Sequence, residues 1–252
     1  MGQLDRVREV VAGNAYPGRG VLWGRTLDGT LCAGYFLTGR SPASKARAVR
    51  HGDAELIVSP TGASRHDPLR HYVAARERDG WLVFGNGEQV ATVSDRLRDG
   101  RRPVEALGGL EYEPDPPIFT PRITVVADLR AGREAWFGAA RRSRGGRTAA
   151  DVLTLAVRDL EPGDAVLMTT YRSDGRTVAT GEPFLEARTE AHDRDALLEE
   201  LWGALSPELR VAVAVFEPGR RLADATIRHE APVSGPDPDA AAAPGARTSP
   251  SR

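Results

Sequence analysis

The chain has 252 residues, 40 % hydrophobic and 27 % charged, the balance of an ordinary soluble globular protein. Its net charge of −1 exerts no global pull toward nucleic acid or an acidic membrane, and no run approaches the ~18 apolar residues of a membrane span. The single cysteine, Cys32, excludes an intramolecular disulfide and a cysteine-held zinc.

The N-terminal "MGQLDRVREV" lacks the apolar stretch of a signal peptide, so a cytoplasmic location is expected. Residues 3–12 read as a short helix with Leu4, Val7, Val10 and Val11 on one stripe. Strands follow over 20–27 and 31–39, with Asp28-Gly29 between them as a hairpin signal. Another strand covers 54–60. "LRHYVAARE" and "GWLVFGN" flank a second hairpin turn at 78–80. A helix is expected at 88–98, and a second begins at Pro103 and runs through 103–113. Strands return at 122–129, 134–140, 152–160 and 164–172. The clearest amphipathic helix is 193–205, with Leu197, Leu198, Leu201 and Trp202 aligned, and late strands follow at 209–217 and 223–230. Strands outnumber helices and several join by short turns. The pattern therefore predicts an α+β fold in which two mainly antiparallel sheets stack, each under an outer helical layer. Residues 1–230 read as a single domain. The stretch 231–252 is rich in Pro, Ala and Asp, lacks large apolar residues after Val233 and reads as a disordered tail.

The composition also singles out individual residues. Of 34 Lys+Arg only Lys45 is lysine, and asparagine and glutamine occur twice each. Lys45, Asn86 and Gln89 all fall in motif-like segments. The first, "TGRSPASKAR", places Arg40, Lys45 and Arg47 within eight residues of a small-residue loop, a phosphate-holding composition. The same loop nearly spells a GxSxG elbow, but Ala43 stands at the final glycine and no crossover helix opens there. In "DPLRHYVAA", Tyr72 reads either as a core residue or as a phenol beside cations. "FGNGEQV" is a strand-to-helix turn, neither GxGxxG nor a P-loop. "LEYEPDPPIFTPRI" carries Glu111, Glu113 and Asp115 on a proline-stiffened segment leading to Arg122, the rigid placement a general base or substrate clamp needs. The five histidines, at 51, 66, 71, 192 and 229, form no HExxH pattern, and neither a metal site nor a cofactor is expected.

Taken in order, "GRSPASKAR", "DPLRHYVAA", "GNGEQ", "EYEPDPPIFTPRI" and "TYRSDG…GEP" resemble the archaeal-type IMP cyclohydrolase family over most of residues 20–185. The resemblance implies the four-layer αββα fold of the N-terminal-nucleophile hydrolases, without that nucleophile; Met1-Gly2 offers no Ser, Thr or Cys. It implies dehydrative closure of 5-formamidoimidazole-4-carboxamide ribotide to inosine monophosphate in purine biosynthesis. The alternative is a paralogue that binds a purine nucleotide without turnover or acts on a related nucleoside. It further implies Lys45, Tyr72 and Glu113 as catalytic residues, with Arg40, Ser41, Arg47, Asn86 and Arg122 holding substrate. Lys45 stands where arginine is usual, Val73 where asparagine is frequent, and Val90 and Ala91 where Thr and Asp are usual. The partner expected is a small purine ribotide, with no nucleic acid and no membrane; the sequence leaves a homo-oligomer open.

Overall fold

The structure, a computed structural model, describes residues 4–62, 69–130, 134–143, 147–174, 178–179 and 184–231. Helix α1 (Val7–Ala12) precedes strands β1 (Arg19–Arg25) and β2 (Leu31–Thr38). A single helical turn α2 (Pro42–Lys45) leads into β3 (Arg47–His51), β4 (Glu55–Pro60), β5 (Tyr72–Arg78) and β6 (Trp81–Gly85). Helices α3 (Gln89–Arg98) and α4 (Pro103–Gly108) come next, then β7 (Arg122–Asp128), β8 (Glu134–Arg142), β9 (Ala150–Arg158) and β10 (Asp164–Thr169). The two-residue strands β11 (Arg172–Ser173) and β12 (Val178–Ala179) and then β13 (Phe184–Arg188) precede α5 (Arg194–Ala204), β14 (Arg210–Phe216) and β15 (Thr226–His229).

The strands form a six-stranded sheet in the order β13-β10-β1-β2-β14-β15 and a seven-stranded sheet that runs β3 to β9 in sequence. Every strand pair within them is antiparallel. The alternation of side chains decides the layering. Val21, Trp23, Ala33, Tyr35 and Leu37 of the first sheet pack with Leu82, Phe84, Ile123, Val125 and Phe137 of the second. The residues between them face outward. Leu22, Phe36, Val213 and Val215 lie under α1 and α5, and Val83, Val126 and Ala140 lie under α3 and α4. Three apolar layers thus separate helix, sheet, sheet and helix, the four-layer sandwich expected of this pattern.

Local chemistry fixes the connections. At the β5–β6 turn, Asp79 and Gly80 both have positive φ, 51° and 76°, the twist of a two-residue hairpin. At the β1–β2 turn, the Asp28 carboxylate accepts hydrogen bonds from the Thr30 amide (2.9 Å) and the Thr26 hydroxyl (2.7 Å). Helix α5 starts on Asp193, whose side chain accepts from the Ala196 amide at 2.9 Å. Some elements differ from expectation. α4 stops at Gly108, where two glycines meet, instead of reaching 113. The strand expected at 223–230 starts only at Thr226, after a short 3-10 turn over Leu222–Asp224. The sequence pattern assigns no strand to the segments of β3 and β13. The tail expected at 231–252 lies, past Ala231, outside the described residues. No described helix is long and apolar enough to cross a membrane.

Candidate functional site

In antiparallel sheets alternate strands begin at the same end, and here that end gathers the polar residues. Arg19 opens β1, Arg47 opens β3, Tyr72 opens β5 and Arg122 opens β7, while Asn86 follows the last residue of β6. Arg19 shares the parity of Val21 and Trp23, so it belongs to the face of β1 that meets the other sheet. Gly18, just before it, lets the chain pass close to residues 170–171. It has φ +74°, and a Cβ there would stand 2.2 Å from Thr170 Oγ1 and 2.5 Å from the Tyr171 ring.

The centre of the cluster is a buried ion pair. Arg19 reaches Glu113 Oε1 through Nη1 at 3.0 Å and donates to Oε2 through Nη2 at 3.1 Å; the two side chains are 9 % and 4 % exposed. Arg19 Nη1 also donates to the Asn86 carbonyl at 2.8 Å. Asn86 uses its amide group fully. Its Nδ2 donates to the Pro121 carbonyl (2.8 Å) and, at 3.4 Å, to Glu113 Oε1, while its Oδ1 accepts from the Ile123 amide and from Gln89 Nε2, each at 2.8 Å. Burial pushes the Glu113 carboxyl above its usual range, against the pull of Arg19. Burial is the largest single influence on Arg19 and works against its charge, but Glu113, Tyr72 and Tyr171 together outweigh it, so this guanidinium stays firmly protonated.

The segment that carries Glu113 is fastened by its own side chains. The Glu113 amide donates to the Thr120 carbonyl at 2.8 Å. Asp115 accepts from the Thr120 amide (2.7 Å) and hydroxyl (2.5 Å), and that hydroxyl lies 2.6 Å from the Tyr171 hydroxyl. Tyr171 stacks on Tyr16 with centroids 5.4 Å apart, and the Arg40 guanidinium lies 4.4 Å over the Tyr16 ring. An Arg–Tyr–Tyr stack therefore joins the 39–46 loop to the Glu113 segment.

Two phenols and a second guanidinium complete the cluster. Tyr35 and Tyr72 hydroxyls are 2.7 Å apart, both rings buried. Burial, then Tyr72, pushes the Tyr35 phenol well up, so it remains a protonated donor. Arg47 is buried, its Nε donating to the Ser44 carbonyl (2.8 Å) and its Nη2 to the Thr38 carbonyl (3.1 Å). Burial lowers its proton affinity, Tyr72 opposes this and Arg19 adds to it, which places all three in one electrostatic neighbourhood. Arg19, Arg47 and Arg40 against Glu113 and Asp115 leave one positive charge (three guanidinium groups less two carboxylates), a setting for an anion.

Of the residues singled out in the sequence, Tyr72, Glu113, Asn86 and Arg47 meet in this cluster. Arg122 lies beside it; its guanidinium pairs with Glu88 at 2.7 Å and its charge reaches Glu113. Ser41 is exposed and caps α2, its Oγ accepting from the Ser44 amide at 3.1 Å. Lys45 is exposed at the end of α2. The cation bonded to the carboxylate is Arg19, which sequence reading passed over along with Tyr35, Tyr16 and Tyr171. Cys32 is buried on the helix-facing side of β2, and burial pushes its thiol up to about 12, which removes it as a nucleophile. Among the described residues no group of three His, Cys, Asp or Glu could hold a metal ion.

The family described as "IMP cyclohydrolase-like protein" matches residues 16–218, which spans every residue of the cluster. A protein of Methanopyrus kandleri named IMP cyclohydrolase is 31 % identical over 160 residues, 62 % of this chain and 75 % of its own length. Proteins with the same name from Methanothrix thermoacetophila (30 % over 166 residues, 64 % of this chain and 76 % of its own) and Thermococcus kodakarensis (31 % over 160, 60 % and 74 %) are similar at the same level.

Proposed function

Because the chain belongs to the IMP cyclohydrolase-like protein family, we propose that it catalyses dehydrative ring closure of 5-formamidoimidazole-4-carboxamide ribotide to inosine monophosphate. The carboxamide nitrogen attacks the formyl carbon. It forms the C–N bond and gives up one of its two protons, while the formyl oxygen takes a proton and becomes a hydroxyl. That hydroxyl then leaves as water together with the proton of the former formamide nitrogen, which closes the C=N bond of the purine. No redox partner is needed. The step asks for a base at nitrogen, a donor at oxygen and an anchor for phosphate.

The observation that carries this reading is the buried Arg19–Glu113 pair beside the Tyr35–Tyr72 phenols. Glu113, its carboxyl raised by burial, is a better base than an exposed glutamate. Tyr35 stays protonated and can donate to the Tyr72 oxygen, which leaves the Tyr72 proton free to serve the developing oxyanion. Arg47, with Arg40 and Arg122 at the rim, supplies cations for a phosphate, and Lys45, at the end of the same loop as Arg40 and Ser41, adds an outer one. Turnover of the formamido ribotide, followed by the ultraviolet change on ring closure, tests the proposal. Glu113→Gln and Tyr72→Phe should each lower it. Absence of turnover in the unaltered protein overturns it.

One observation favours a second reading. Both oxygens of Glu113 already receive Arg19, which would suit a structural counter-ion in a protein that binds a purine nucleotide without reaction. In that case inosine monophosphate raises Tm while the formamido ribotide is recovered unchanged.

A further inference from the structure

Gln89 is 1 % exposed, and its two ends have different fates. Nε2 donates to Asn86 Oδ1 at 2.8 Å, to the Ile123 carbonyl at 3.2 Å and to Thr124 Oγ1 at 3.3 Å. The Ile123 carbonyl and Asn86 Oδ1 can only accept, so the end that faces them is the amide nitrogen. Oε1 is buried and has no hydrogen-bond partner among the described residues. A buried acceptor without a donor is costly and uncommon in a folded protein, so its surroundings matter. They are given by Gly87. A Cβ on that glycine would lie 2.8 Å from Gln89 Oε1 and 3.3 Å from Glu113 Oε1. The two oxygens therefore flank the bare Cα of Gly87, on the turn that delivers Asn86 to the ion pair.

We propose that Gln89 Oε1 and Glu113 Oε1 form a two-acceptor cradle for the –NH2 of a primary carboxamide, and that Gln89 is thereby a substrate-contacting, specificity-determining residue. The inference rests on the ring-closure reading and deepens it. A primary amide nitrogen offers two N–H donors, one for each oxygen. On attack, the hydrogen that faces Glu113 passes to the carboxylate. The hydrogen that faces Gln89 stays on nitrogen and becomes the ring N–H of the product, so Gln89 keeps its donor throughout. A carboxylate in place of the carboxamide brings only acceptors against two acceptors, one of them charged, and is rejected. The glycine explains itself on the same terms, since a methyl group there would occupy the cradle.

The test is calorimetric titration of the unaltered protein, Gln89→Met and Gly87→Ala with two unreactive ribotides, 5-aminoimidazole-4-carboxamide ribotide and its 4-carboxylate counterpart. Each variant's Tm is recorded, and turnover of the formamido ribotide is measured alongside. The unaltered protein should prefer the carboxamide by at least roughly 100-fold. Gln89→Met keeps the volume and loses the acceptor together with the Nε2 donor, and the preference should fall to about tenfold or less. Gly87→Ala crowds Gln89 Oε1, which would stand 2.8 Å from the added Cβ, and should weaken the carboxamide more than the carboxylate. The cradle is overturned if the unaltered protein shows no preference, if both variants keep its ratio, or if Gln89→Met weakens both ligands equally with a fallen Tm, the mark of a purely structural glutamine. Turnover with an unchanged ratio sinks the cradle alone. Absence of both turnover and ribotide binding sinks the ring-closure reading and the cradle with it.

Discussion

At the scale of single residues, the buried Arg19–Glu113 pair makes the sharpest demands. Removing one partner of a buried pair leaves the other charge uncompensated, and the usual cost is about 3–5 kcal/mol. Arg19→Met should lose that much stability by urea denaturation at pH 7. The loss should shrink toward pH 5, because a Glu113 without its cation protonates at still higher pH and a neutral carboxyl is cheap to bury. An equal loss at both values would mean that Glu113 is solvated. Tyr72→Phe should lower kcat for ring closure by roughly 10²–10³-fold if its hydroxyl meets the developing oxyanion. Tyr35→Phe, which removes only the donor behind it, should cost less. The pH profile follows from direction alone. Glu113 must be ionised to act as a base and its carboxyl is held above the usual 4.5, so the acid limb of kcat should lie above that value. Part of this was legible in the sequence. Glu113 and Asn86 stood out because prolines and an Asn-Gly turn mark fixed backbone. Arg19 did not, because one arginine among so many carries no contrast. Tyr35 did not either, since a mid-strand tyrosine between apolar residues has the same pattern whether or not its hydroxyl is used. Lys45 stood out through rarity, a property of composition that says nothing about where its side chain points; the structure leaves it exposed.

At the scale of elements, the legible ones had both an apolar pattern and a boundary signal. β1, β2 and β6 are apolar runs, β5 opens on one, and the two pairs meet at Asp-Gly turns; α3 and α5 carry apolar stripes. β3 was illegible because "RAVRH" has one β-branched residue between cations, and it is a strand only because β4 pairs with it from Arg47↔Pro60 to His51↔Leu56. Its long-range partner, not its propensity, decides it. β1 shows how tightly such pairing constrains a position. Gly20 sits opposite Phe36, and a Cβ there would lie 2.0 Å from Phe36 Cζ. The ring is fully buried under α5 and α1 and has nowhere to go. Gly138 on β8 faces Leu107 of α4, whose Cδ2, the end of a side chain that can turn, would lie 2.8 Å away and whose Cβ 3.2 Å. Gly20→Ala should therefore cost about 2–3 kcal/mol and Gly138→Ala about 1 kcal/mol, with the order read directly from two thermal melts. Equal Tm values for the two variants would show that Phe36 can rotate away.

At the scale of the whole molecule, the two sheets are tied at their edges as well as through the core. β15 closes one sheet and β3 the other, and His229 spans the gap: its Nε2 lies 3.2 Å from the Val49 amide and 3.0 Å from the Val49 carbonyl. Burial, with Arg50 and His51 adding and the Val49 contact opposing, lowers the His229 pKa below its usual 6.5. The unfolded chain thus binds a proton here at a pH where the folded one does not. Stability from this group is complete above about 6.5 and drains away as pH falls toward the lowered folded-state value. Other groups act in the opposite sense: Glu113 and Glu77 have carboxyls raised by burial, and their ionisation costs the fold as pH rises above about 4.5. A single Tm-against-pH curve would mix the two. The difference between the unaltered protein and His229→Gln isolates the imidazole, since the carboxylates are common to both. That stability gap should be widest near pH 7.5 and should narrow steadily to pH 5.5, by denaturant titration at matched ionic strength. A gap that stays constant would mean that folding leaves the imidazole's proton affinity unchanged, and one that widens in acid that the clasp between the sheets is an imidazolium donating to the Val49 carbonyl.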